Sequence, residues 1–300
     1  MKLSVVVVSH NMERELPRTI RSLSPAMQRG IAPDDYEVIV VDNVSTTPVP
    51  MDQCRRWIPD LRIEVMATAT PSPVPAVNRG LELARGDLIG VMIDGARMAS
   101  PGLLASALDA ASRHRLPVIG AMTYHLGPDL QTKTTSNGYD AATEDALLAE
   151  SGWEENGYNL FRISTFISLR ARGWFDWPAE TCSLFLKAEH WRALGGYDPA
   201  FVSPGGGLAN IDIWGRVCAD PQADVVVLLG EATFHQVHGG VTSNVANTTD
   251  WWVPFREEYI RIRGKFPPAP PSPAFAGRIG RMAMESVGKS ANFPRPRRDD

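Results

Sequence analysis

Short apolar runs rich in valine and isoleucine punctuate the first 120 or so residues, and segments with helical spacing separate several of them. "LSVVVVS" (3–9), "YEVIVVD" (36–42), "LRIEVMA" (61–67), "DLIGVMID" (87–94) and "LPVIGAMTY" (116–124) predict strands. "ERELPRTIRSL" (13–23), "PAVNRGLELAR" (75–85) and "PGLLASALDAASRH" (101–114) place apolar residues at helical spacing. Strands that are apolar at almost every position must be covered on both faces, so the pattern predicts a mostly parallel sheet between helices. In such sheets ligands lie beyond the carboxyl ends of the strands. Ser9–His10–Asn11, Asp42–Asn43 and Asp94 all stand at such ends.

From about 125 to 180 the pattern loosens into polar and then aromatic, turn-rich stretches. Regularity returns with "TCSLFLKAEHWRALGGYD" (181–198), a strand followed by a helix that Gly195–Gly196 stops. A helix over 211–220, a strand over 223–230 and a last helix over 255–266 follow. "PPAPPSPA" (267–274) reads as a proline-rich linker, and the rest to Asp300 as a C-terminal tail with at most one short helix. The expected organisation is one α/β domain over 1–266 and a tail over 267–300.

Composition narrows this little but usefully. A chain of 300 residues that is 44% hydrophobic can bury a sizeable core. A net charge of −4 gives no basic field for nucleic acid. Cys54, Cys182 and Cys218 are widely spaced, a usage that fits reduced thiols in the cytoplasm better than a disulfide frame or a zinc site. The run Val5–Val8 is too short for an export signal, and nothing approaches a membrane span.

The first strand leads into "SHNMERELP", which lacks the glycines of a dinucleotide loop, and no Walker-type loop occurs. A nucleotide in this sheet needs another way to have its phosphates held. At this point the segments read together. "VVVVSHNMERELPRTIRSL", "YEVIVVDNVST", "AVNRGLELARGDLIGVMIDGA" and "CSLFLKAEHWRALGGYDPAF" resemble, in order, the motif segments of the family 2 glycosyltransferases. The likeness covers roughly residues 3 to 240.

That resemblance implies a GT-A fold: a Rossmann-like, mostly parallel central sheet flanked by helices. A nucleotide-binding part would span about 1–124, and a smaller acceptor-side part about 125–266. It implies inverting transfer of a sugar from a nucleotide diphosphate such as UDP to a hydroxyl acceptor, which is a glycan, a lipid-linked molecule or a small molecule. A divalent cation, Mn2+ or Mg2+, would bridge the donor phosphates. The implied donor-binding residues are Ser9, Asn11, Asp42, Asn78, Arg79, Asp94 and Arg97. Asp42 and Asp94 have a plainer reading as caps of the turns that follow them, and Arg79 as an exposed helix charge.

Two departures from the family pattern matter. The metal-binding Asp-x-Asp reads Asp94–Gly95–Ala96, so its last ligand is missing. "FHQVHGG" places His235 and His238 where relatives often supply a histidine, and His238 beside Gly239–Gly240 is taken as the metal ligand with Asp94, while His235 faces the core. Arg97 is a fixed charge that can neutralise phosphate directly. Where the family carries an acidic pair ahead of its helix, "GGGLANIDIWGR" has Ala209–Asn210, which leaves Asp212 as the general base. Asp212 also suits a first-turn position against the helix dipole. Trp177 and Trp214, with Trp174, suit either an acceptor cleft or the core. A catalytically silent sugar-nucleotide-binding relative and a nucleotidyltransferase are the competing readings, the second disfavoured by the glycine-free first loop. The basic stretch in 277–289 suggests peripheral membrane contact or docking of a second copy.

Overall fold

A computed structural model describes residues 1–167, 173–178, 181–240 and 249–291. The strands are β1 (Leu3–Ser9), β2 (Tyr36–Asp42), β3 (Arg62–Val65), β4 (Leu88–Met92), β5 (Arg97–Ala99), β6 (Pro117–Leu126), β7 (Ser164–Phe166), β8 (Ser183–Lys187), β9 (Asp224–His235) and β10 (Ala274–Gly277). They form one sheet in the order β10-β9-β6-β8-β4-β1-β2-β3, with β5 paired to β9 and β7 to β6. Along that path only β8 runs against the rest. The carboxyl ends of β1, β2, β4 and β9 therefore share one edge of the sheet.

The helices are α1 (Leu16–Ser22), α2 (Met51–Trp57), α3 (Val74–Leu83), α4 (Leu103–Arg113), α5 (Gln131–Thr134), α6 (Ala141–Ser151), α7 (Ala188–Leu194), α8 (Ala209–Cys218), α9 (Thr249–Arg263) and α10 (Arg281–Ala291). One core packs Leu16, Ile20, Cys54, Leu103 and Leu104 from α1, α2 and α4 against Val5 and Val7. On the opposite face Val77, Trp191, Ile213 and Phe255 from α3, α7, α8 and α9 pack against Val6 and Val8. Alternate side chains of one strand thus serve two cores, which is why these strands read as unbroken apolar runs. A third cluster is built on Tyr124, Phe161, Trp174 and Phe234.

The α/β fold and its main elements match the sequence pattern; three differences have physical causes. The strand expected to stop at Gly230 continues to His235. Gly230 takes φ +81°, the register against β6 shifts between Ala121 and Met122, and the strand resumes beyond this bulge. Residues 267–300 were expected to be linker and tail, yet β10 adds an edge strand parallel to β9. Ala283 of α10 is buried in the third core, and Ser286 Oγ lies 2.8 Å from Tyr124 Oη. Three residues, Arg97–Ala99, form a strand of their own antiparallel to β9, too short for any periodicity to announce.

Candidate active site

Asp94 lies two residues past β4, where the chain turns to enter β5. Its Oδ1 accepts the Ala96 N–H at 2.8 Å, so one oxygen caps the turn. The other oxygen is aimed elsewhere. Oδ2 lies 3.2 Å from Arg97 Nε, 3.2 Å from His235 Nε2 and 4.0 Å from His238 Nε2. The capping and functional readings of Asp94 are thus compatible, one for each oxygen. Arg97 stands directly opposite His235 in the β5–β9 ladder, so the turn after β4 delivers both residues to the same place.

The two imidazoles meet through Nε2 atoms 3.0 Å apart. His235 was expected to face the core, but it joins the cluster, and Asp94, His235 and His238 hold ligand atoms within 4.8 Å of one another. Gln131, fully buried in α5, settles the His235 tautomer. Its Nε2 donates to the His235 carbonyl at 3.0 Å, which fixes the amide orientation and leaves Oε1 facing His235 Nδ1 at 2.6 Å. Nδ1 therefore carries a proton, and in the neutral ring Nε2 presents a lone pair towards Asp94 Oδ2. Acceptors gathered this closely need a proton or a cation between them. Edges of 3.0 and 3.2 Å are what two ligands about 2.1 Å from one ion subtend, so the residues fit a divalent cation.

Electrostatics agree. Burial alone would raise the Asp94 carboxyl, but the Arg97 guanidinium beside it holds it well below the usual carboxylate range. Burial pushes His238 down to about 4 against the pull of Asp94, with Arg97 adding to the effect, so the ring is neutral at physiological pH. The backbone between the histidines is pinned. Gln236 N–H donates to Ala96 O, Val237 N–H to Glu144 Oε2, and Arg14 donates to Val237 O. Asp94 and His238 keep 19% and 14% of their side-chain surface open, which leaves the cluster reachable from solvent.

On the same edge, Ser9 and Asp42 end neighbouring strands in register. Asp42 accepts from Ser45 N–H at 3.0 Å and from Ser45 Oγ at 2.5 Å. Asn11, at φ +52°, accepts from Thr46 N–H and Oγ1 and donates its own N–H to Ser45 Oγ. These two loops are laced together, and Asn43 ties them to Thr70 through its amide. Ser9 Oγ is buried with no hydrogen-bond partner among the described residues.

Other expected site residues stand apart. Asn78 gives its amide to the Tyr197 backbone, donating to the carbonyl at 2.8 Å and accepting the N–H at 2.9 Å, so it is a structural clasp and not a donor ligand. Arg79 faces Glu64 and Glu82, two carboxylates that cancel the charge a diphosphate would seek. Asp212 is 2% exposed and takes Arg263 on both oxygens, at 2.6 and 3.0 Å, with Arg216 at 3.5 Å. A carboxylate sealed between two guanidiniums cannot reach an acceptor hydroxyl, so it is not placed as a base. Trp214 packs in the second core, and Trp177 donates its indole N–H to Pro271 O. Trp174 is wholly buried, so neither it nor Trp214 forms an open cleft wall. His235 had a signal in its HxxH spacing; Gln131, Arg14 and Glu144 had none, because their roles depend on chain-distant contacts.

Comparison with known proteins now bears on this arrangement. The model of the family described as "Glycosyl transferase family 2" matches residues 4–176. The chain belongs to glycosyl transferase family 2. No curated protein sequence matches it. Among solved structures, the mannosyltransferase PcManGT from Pyrobaculum calidifontis, in complex with GDP-Man and Mn2+, superposes with a TM-score of 0.54 at 15% identity, over 97% of this chain and 69% of that one. TarS from S. aureus gives 0.53 at 14% identity, over 87% of this chain but only 44% of its own length. TarS 1-349 in complex with UDP-GlcNAc gives the same score and identity over 67% of that chain. At these identities the likeness shows the GT-A-like fold of this family 2 member. Glycosyl transfer is the activity that the family's description names. No helix among the described residues is long and apolar enough to cross a membrane.

Proposed function

We propose that this family 2 member transfers a sugar from a nucleotide diphosphate to a hydroxyl acceptor with inversion, using a divalent cation held by Asp94, His235 and His238. The observation that carries this reading is the convergence of those three residues at the carboxyl edge of a glycosyltransferase sheet. A bound cation would supply charge neutralisation for the departing diphosphate. Arg97, fixed 3.2 Å from Asp94, adds a permanent positive charge beside the same position that would neutralise phosphate directly. The laced loops at Ser9, Asn11 and Asp42 form the floor for the nucleoside, as the ends of β1 and β2 do in open sheets with a switch point. Asp212, held on both oxygens by Arg263, is not the base.

Calorimetric titration of UDP and GDP with and without Mn2+, followed by donor hydrolysis and transfer assays, tests the proposal. Metal-dependent nucleotide binding with turnover supports it; turnover undiminished in Asp94→Ala would sink it. One second reading has a specific observation behind it. Ala96, Ala209 and Asn210 stand at positions where acidic residues are expected, and Asp212 is locked, which favours a silent sugar-nucleotide binder. Nucleotide binding with no hydrolysis or transfer would decide for it.

A further inference from the structure

The donor set of the cluster is unusual for a site meant to share a cation with phosphate. The oxygen ligand that a second aspartate would give is replaced by Ala96, which is fully buried and whose side chain has no ligand atom. In its place stand two imidazole nitrogens, 3.0 Å apart, with one carboxylate oxygen. Mg2+ prefers oxygen ligands and parts reluctantly with its water, whereas imidazole favours Co2+, Ni2+ and Zn2+, with Mn2+ weakest among the transition ions.

Gln131 reinforces the nitrogen character. It is held at three points: its main-chain N–H donates to His125 Nδ1 at 2.9 Å, its side-chain N–H to the His235 carbonyl, and its Oε1 accepts from His235 Nδ1. It can neither rotate nor flip without losing buried hydrogen bonds. His235 Nε2 is thereby kept bare and aimed at Asp94. Partners of this kind behind a ligating histidine raise metal affinity by about 10–100-fold.

We infer that the Asp94–His235–His238 site selects a nitrogen-preferring first-row transition cation over Mg2+, and that Gln131 is the positioning residue that makes His235 a ligand. The inference rests on the cation-site reading given above, and its test needs no sugar transfer. The full chain, without nucleotide, is titrated with Co2+, Zn2+, Mn2+ and Mg2+ by calorimetry, and bound Co2+ is followed by its visible absorption. The expected result is Co2+ and Zn2+ binding at least about tenfold tighter than Mn2+, with Mg2+ in large excess failing to displace Co2+. Gln131→Leu should weaken Co2+ binding by about 10–100-fold and alter the Co2+ spectrum. His238→Ala, at a partly open position, should abolish tight Co2+ binding with the fold intact by circular dichroism; it serves as the second variant if Gln131→Leu does not fold. Displacement of Co2+ by equimolar Mg2+, absence of Co2+ binding, or unchanged Co2+ binding in a folded His238→Ala or Gln131→Leu would overturn the inference. Selective Co2+ binding by a protein that transfers no sugar would leave it standing and remove only the transferase proposal.

Discussion

Two buried carboxylates on this chain invite the same first description and have opposite chemistry. Asp94 and Asp212 each lie close to arginine and are largely withdrawn from water. Around Asp212 the partners are donors: Arg263 reaches both oxygens, Arg216 closes the remaining side, and Arg263 also binds Asp198. The opposite charges cancel, and the cluster fastens α9 to α8. Around Asp94 the Ala96 N–H caps one oxygen, while the other faces Arg97 and two imidazole nitrogens. The comparison teaches that burial and charge do not mark a site. What marks it is whether the neighbours satisfy the carboxylate or join it in wanting a further partner.

Substitutions can break this contrast. The largest effect should be Asp212→Ala, which removes the carboxylate that Arg263 and Arg216 share and should cost about 3 kcal/mol of stability in a denaturant melt; metal and nucleotide binding by the folded fraction should persist. Next comes Asp94→Ala. Here the melt should shift little, while donor hydrolysis should fall about 100-fold, roughly 2.7 kcal/mol of transition-state stabilisation, and Co2+ or Mn2+ binding should vanish.

A smaller effect sharpens the comparison with a third buried carboxylate, Glu144, behind the histidine loop. Burial pushes its acid form up to about 7, against the Val237 N–H and Arg14, which pull it down. A folded value above the ordinary 4.5 means that protonation favours the fold. That advantage is complete below about 4.5 and is lost as pH rises through about 7. Glu144→Gln should therefore gain in Tm relative to the parent between pH 5 and 8, by roughly 2–4 °C; a constant difference across that range would refute the assignment. Smallest of all should be Arg79→Ala. With its charge already met by Glu64 and Glu82, its loss should change nucleotide affinity by less than about twofold.

Sequence pattern was enough for the strands that carry the sheet and for the edge on which Ser9, Asp42 and Asp94 sit, because β-branched runs buried on both faces leave a local trace. It also singled out His238. It lost His235 because Gly230 looks like a strand end, while the chain uses that glycine for a bulge and continues for five more residues. It took residues after 267 for a tail because proline-rich spacing hides β10, which pairs with β9 at the sheet edge. Asn78, Arg79 and Asp212 were plausible by position. Their actual partners, Tyr197, Glu64 and Arg263, come from 15 to 119 residues away.

The linear order of residues thus determined the fold class, the family, and the candidacy of an acidic strand end, Asp94, and a late histidine, His238. Tertiary structure decided which carboxylate is closed off between arginines and which shares a partly open cluster with two imidazoles. Local periodicity reports whether a side chain is buried, and it does so through its immediate neighbours. Hydrogen-bond saturation, tautomer and charge balance depend on atoms brought in from elsewhere in the chain, such as Gln131 against His235 and Arg263 against Asp212. Those pairings exist only once the sheet has closed and its helices have packed.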